Sequence, residues 1–80
     1  MTHKPFVIEL KDNHGHARGY LQHNNYKNEI GAATHYATQA EAEQVRNRAA
    51  RTLLIPKKHA LEVTLDLRVW RAMFAEANYD

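Results

Sequence analysis

Residues 59–69 read HALEVTLDLRV, and the fold depends on whether they are extended or helical. Leu61, Val63, Leu65, Leu67 and Val69 alternate with Glu62, Thr64, Asp66 and Arg68, the period of a half-buried strand. The same residues also set Leu61, Leu65 and Val69 four apart, as on one side of a helix. The unbroken alternation and the β-branched Val63 and Thr64 favour the strand, so a strand is expected near 60–69. Beyond it, VWRAMFAEANYD has helical spacing at Val69, Met73 and Ala77, with Trp70 and Phe74 on an adjoining stripe, and predicts a short C-terminal helix.

Upstream of that strand lies a helix with clear punctuation. Thr38-Gln39-Ala40-Glu41 is a capping box, in which the Thr hydroxyl and the Glu carboxylate each satisfy an orphan amide. Ala42, Val45, Ala49 and Leu53 then recur at three- and four-residue steps, a narrow apolar stripe with small residues that let the helix lie close on a sheet. Glu41 and Glu43 sit at its amino end and Arg46, Arg48 and Arg51 in its later turns, as the macrodipole prefers. Pro56 stops it.

At the other end, Phe6, Ile8 and Leu10 alternate with Val7, Glu9 and Lys11. Asp12-Asn13-His14-Gly15 has the Asp and Gly that a type I turn favours, and HARGYLQ returns as the second strand. A two-residue loop would set Glu9 opposite Arg18 and Val7 opposite Tyr20, whereas a bulge at Gly15 would set Tyr20 opposite Ile8. HNNYKNEIG reads as an Asn-rich loop, and AATHY as a short third strand. The expected fold class is α+β in a single domain, 1–80: a small antiparallel sheet, built from the N-terminal hairpin and the strand near 60–69, against one main helix near 38–54.

Composition closes several functions. Eighty residues contain neither cysteine nor serine, which removes disulfides, thiolate zinc sites and the two commonest side-chain nucleophiles. Gly15, Gly19 and Gly31 match no phosphate-cradling spacing. The reading is therefore of a chain that is not an enzyme and needs no cofactor. No apolar run approaches the roughly 20 residues that span a bilayer, and MTHKPFVIEL lacks a secretory pattern, so a cytoplasmic location without membrane contact is expected.

The net charge is only +2, but it is unevenly spread. Arg46, Arg48, Arg51, Lys57 and Lys58 lie between Gln44 and Leu61 with no acid among them. The bland reading is a solvated helix face; the functional one is an anionic partner, either an acidic protein surface or nucleic-acid phosphates. Nucleic-acid binders interleave aromatics with such a patch, and none lies between Thr38 and Arg68; Tyr20, Tyr26 and Tyr36 would serve only if folding brought them alongside. Trp70, Met73, Phe74 and Tyr79 form an aromatic cluster that either closes one face of the sheet or anchors an interface, a homodimer contact included. His14, His16 and His23 have the composition of a metal site but sit in turn and loop positions, where exposed polar residues are the rule. His14, Asn28 and His35 also resemble the HNH endonucleases, whose hairpin-plus-helix site holds a metal ion. In that family the last histidine lies on the helix, whereas His35 precedes the capping box.

The passage Ala33, Tyr36, Thr38, Glu41 and Ala42, leading from a short strand into a helix, resembles that of small proteins carried by phages and mobile elements, anti-CRISPR inhibitors among them. The resemblance implies inhibition by occlusion: docking on a subunit of a CRISPR surveillance complex in the host cytoplasm and blocking access to target DNA. Several such inhibitors imitate nucleic acid with acidic faces, and this chain is basic where they are acidic. The implied contact is therefore Arg46, Arg48, Arg51, Lys57 and Lys58 against an acidic surface, with Trp70 as a second anchor. The alternative is a small basic nucleic-acid-binding domain, and the third reading the HNH-like metal-dependent nuclease.

Overall fold

Backbone hydrogen bonding is satisfied by a four-stranded antiparallel sheet in the order β3-β2-β1-β4. The computed structural model describes residues 3–77, with side chains through residue 75. The strands are β1 (Phe6–Lys11), β2 (Ala17–Gln22), β3 (Asn25–Lys27) and β4 (Ala60–Leu65), and the helices are α1 (Gln39–Thr52) and α2 (Leu67–Ala77). A 3-10 turn occupies Ile30–Ala32.

Phe6, Ile8 and Leu10 pair directly with Leu65, Val63 and Leu61, so six apolar side chains share one face. Leu21 and its partner Tyr26 extend that face. Ala42 and Ala49 of α1 pack onto it in a cluster with Ile8, Leu10, Leu21, Tyr36 and Leu61, and Val45 and Leu53 complete the edge. The alanines allow this close approach, and the helix begins where expected: the Thr38 hydroxyl accepts from the Glu41 amide at 3.1 Å. The reciprocal Glu41 carboxylate bond is not among those of the described residues.

The hairpin register differs from both expectations, since Glu9 lies opposite Tyr20. Two extra residues cause it. The loop is three residues long, with Asp12 and His16 closing it, the amide of Gly15 donating to the Asp12 carbonyl, and Gly15 in the left-handed region at φ 80. A second irregularity follows, because Leu10 faces Gly19 and Lys11 faces Ala17, which leaves Arg18 as a bulge. The Asp12 carboxylate explains both: it accepts from the amides of His14 and His16 and from Nε of Arg18 at 2.7 Å.

Three further expectations are corrected. The third strand is Asn25–Lys27, inside the stretch read as loop, because the two-residue turn His23–Asn24 brings Asn25 back opposite Gln22. AATHY contributes only a bridge between Tyr36 and Phe6. The strand expected near 60–69 ends at Leu65, and residues 67–69 are helical, so Leu67, Arg68 and Val69 do not continue the alternation. Asp66 is the cause: its carboxylate accepts from the Arg68 amide at 3.1 Å while its carbonyl accepts from Trp70 N, the geometry of a helix N-cap.

The opposite face of the sheet is polar toward the hairpin end. Lys11 Nζ lies 2.9 Å from Glu62 and 3.7 Å from Glu9, bridging two carboxylates that the register sets side by side. At the other end Val7 is fully buried. The turn Ile30–Ala32 is drawn over that end of the sheet by Gln22, whose side-chain amide donates to the Ala32 carbonyl at 2.7 Å.

Candidate docking surface

α2 approaches the sheet and α1 less closely than α1 approaches β1 and β4. The chain is accordingly elongated, with a radius of gyration of 13.4 Å and a long axis of 49 Å, against about 12 Å of gyration for a compact domain of this length. Of the aromatic cluster, Trp70 and Met73 are half-buried and Phe74 is exposed. Leu67, Trp70 and Phe74, at three- and four-residue steps, share one side of α2. Leu67 is 55% and Phe74 53% exposed, and Trp70 is half-buried with its ring edge-on to Phe74 at 5.0 Å. Tyr79 lies outside the described residues.

The stripe does not stop at the helix. Leu67 also lines a hollow of about 460 Å³ with Phe6, Val63, Leu65 and the first residue of α1, Gln39. The hollow lies against β4, an edge strand that pairs with β1 alone. Apolar surface therefore runs from the outer rim of the sheet onto α2, with the exposed Arg71 beside it. Large apolar patches rimmed by polar residues are characteristic of binding surfaces.

What aims α2 is a buried carboxylate. Asp66 is 2% exposed and receives Nε2 of His35 at 2.9 Å, with Nε and Nη2 of Arg68 at 3.3 and 3.2 Å. Its own amide donates to the Pro5 carbonyl at 2.7 Å. Burial pushes this carboxyl up, but the bonds from Arg68 and His35 and the Arg68 charge outweigh it and hold it at about 2. Nδ1 of His35 is meanwhile 2.8 Å from the Ala33 carbonyl, and the Arg68 guanidinium lies over Gly31, where a Cβ would meet Nη2 at 3.0 Å. The residue before β1, the 30–36 segment and the root of α2 thus converge on one residue, the first through its backbone amide and the others through its carboxylate. His35 and Asp66 were legible only as separate residues, since no local spacing links positions so far apart.

The basic residues singled out in the sequence are dispersed. At about 100° per residue, Arg46 and Arg48 lie roughly 200° apart on α1, on opposite flanks of the buried stripe, and Arg51 is on the outer side next to Arg48. Arg46 donates to the neighbouring Asn47 side chain. None of the three makes an ion pair among the described residues. Lys57 and Lys58 occupy the turn closed by His59 N on the Pro56 carbonyl at 3.0 Å, beside Leu54, which is 93% exposed. Trp70 is on α2, apart from all five.

The tyrosines do not join the arginines as stacking platforms. Tyr36 is 8% exposed, Tyr26 packs against the core cluster, and Tyr20 lies on the far face beside Glu9. His14 and His16 have ring centroids 6.4 Å apart, but among the described residues no three His, Asp or Glu side chains come together to hold a metal ion. Among them, too, no helix is long and apolar enough to cross a membrane. No family model, curated protein or solved structure matches this chain.

Proposed function

We propose that this chain is a non-enzymatic protein-binding domain that acts by covering a surface of its partner. In its specific form it is an inhibitor of phage or mobile-element origin, docking on a subunit of a CRISPR surveillance complex and blocking access to target DNA. The observation that carries the binding reading is the stripe Leu67–Trp70–Phe74, exposed at Leu67 and Phe74 and half-buried at Trp70, continuous with the hollow against the edge strand. Tryptophan with arginine beside it is the usual composition of an interface anchor, and Arg71 lies next to this stripe. Lys57 and Lys58, in the turn before β4, offer a second contact to an acidic partner. The anti-CRISPR form rests on the organisational resemblance described above. A non-catalytic role is supported by the missing serine and cysteine nucleophiles and by His35, whose two ring nitrogens are both engaged.

The test is co-purification with CRISPR surveillance complexes alongside a plasmid-interference assay. The wild type is expected to bind and protect, and Leu67→Asp/Phe74→Asp to lose both while keeping its circular dichroism spectrum. Neither binding nor protection by the wild type removes the specific form. Undiminished binding by the double variant removes the stripe as the contact.

A further inference from the structure

A second hollow, of about 400 Å³, opens on the far flank of α1 and has a different chemistry. Its wall carries Arg48, His23, Asn24 and Thr34, and its floor is Val45 and Ala49. That volume falls within the range of small-molecule sites. No carboxylate lines it. The acid on that side of α1 is Glu41, two turns toward the amino end; the Tyr36 phenol is raised chiefly by burial, with Arg48 lowering it and Glu41 raising it.

The wall is held in place by the fold. The His23 amide donates to Thr34 Oγ1 at 3.1 Å, which joins the β2–β3 turn to the 34–36 segment. That bond uses the hydroxyl as an acceptor, so its own proton is available to a ligand. His23 adopts φ 53, a left-handed conformation that a non-glycine residue takes at a cost. On α1, Thr52 Oγ1 donates back to the Arg48 carbonyl at 2.8 Å. Arg48 makes no ion pair among the described residues, so a cation stands in a recess whose other polar side chains, His23, Asn24 and Thr34 among them, can each donate to an anion.

We propose that this hollow binds a phosphate monoester, with the Arg48 guanidinium as the principal contact and the Thr34 hydroxyl, the Asn24 amide and the His23 ring completing the donor set. The fork of a guanidinium matches two phosphate oxygens at once, and the apolar floor suits the carbon side of an ester. The site is independent of the α2 stripe. Its ligand is either a free small phosphate ester or the terminal phosphate of a nucleic-acid strand, and the two share the same recognition.

The experiment is an amide NMR titration at fixed ionic strength with three probes: phenyl phosphate, a 5′-phosphorylated oligonucleotide and the same oligonucleotide without its phosphate. Saturable shifts are expected at His23, Asn24, Thr34 and Arg48 with phenyl phosphate, and Arg48→Gln is expected to weaken them at least about tenfold, as loss of a charge-assisted bond implies. Arg51→Gln, one turn away on the same helix, is expected to leave the affinity unchanged. A matching response to the phosphorylated strand alone assigns the ligand to nucleic-acid ends, and no response to either strand assigns it to small esters. Shifts that rise linearly without saturation, or that fall equally in Arg51→Gln, overturn the proposal.

Discussion

The His35 ring and the Asp66 carboxylate meet at 2.9 Å although they are 31 positions apart in the chain. This contact joins the segment that crosses one end of the sheet to the residue from which α2 starts. Because Asp66 also caps α2 and holds Arg68, one buried side chain both stabilises the domain and sets the direction of the proposed docking helix.

Replacing that side chain is therefore expected to cost stability and to loosen α2 together. Asp66→Ala removes the helix cap and leaves His35 and Arg68 without their acceptor, a loss of about 3 kcal/mol on the scale of broken buried networks. Urea denaturation gives the magnitude, and hydrogen exchange at Trp70 to Met73 gives the location. A cost below about 1 kcal/mol, with α2 amides unchanged, would show that the junction is held by something else.

Acid should act through the same group. Asp66 is held at about 2, below its ordinary 3.8, and Asp12 is lowered by the His16 and His14 amides and by Arg18, against the opposing effect of burial. A carboxyl with a depressed folded-state value contributes stability that is fully present above its unfolded value and is lost as pH falls through the folded one. Stability is thus expected to be level above about pH 5 and to decline between about pH 4 and 2, with roughly 2 kcal/mol from Asp66. In Asp66→Asn the decline over that range should be shallower than in the wild type. An equal decline in both would assign acid lability elsewhere.

Two turns carry conformations that their residues disfavour. Lys58, in the turn before β4, has φ 65, and His23 has φ 53. Both are regions that glycine enters freely. Lys58→Gly is expected to raise stability by roughly 0.5–1 kcal/mol, read as an upward shift in melting temperature. His23→Gly should do the same while weakening phosphate-ester binding at the Arg48 hollow. A destabilised Lys58→Gly would mean that the lysine stem contributes packing that outweighs its backbone cost.

Much of this architecture was legible because it is encoded locally. The alternation in Phe6–Leu10 and Leu61–Leu65, the Thr38 cap and the alanine stripe of α1 each depend on residues within a few positions. What escaped was non-local or depended on a single side chain. Asn25–Lys27 has no alternation to announce it and exists because the His23–Asn24 turn sets it beside β2. The end of β4 is decided by Asp66, which an alternating pattern places as one more outward residue but whose carboxylate captures the next amides. The arginines of α1 were read as one patch because they cluster in sequence, whereas helical geometry spreads them around the axis. The exposure of Leu67 and Phe74 required the whole fold, since the same stripe would serve equally well as core.

Core or docking surface is also the distinction that matters most, and Trp70, the single tryptophan, reports on it. Iodide quenching of its fluorescence, at a concentration where sedimentation gives the mass of one chain, is the direct measurement. The account predicts substantial quenching in the wild type, and an increase in Leu67→Ala as the neighbouring stripe is thinned. A Trp70 shielded from iodide in the single chain would place the stripe in the interior and contradict the docking account.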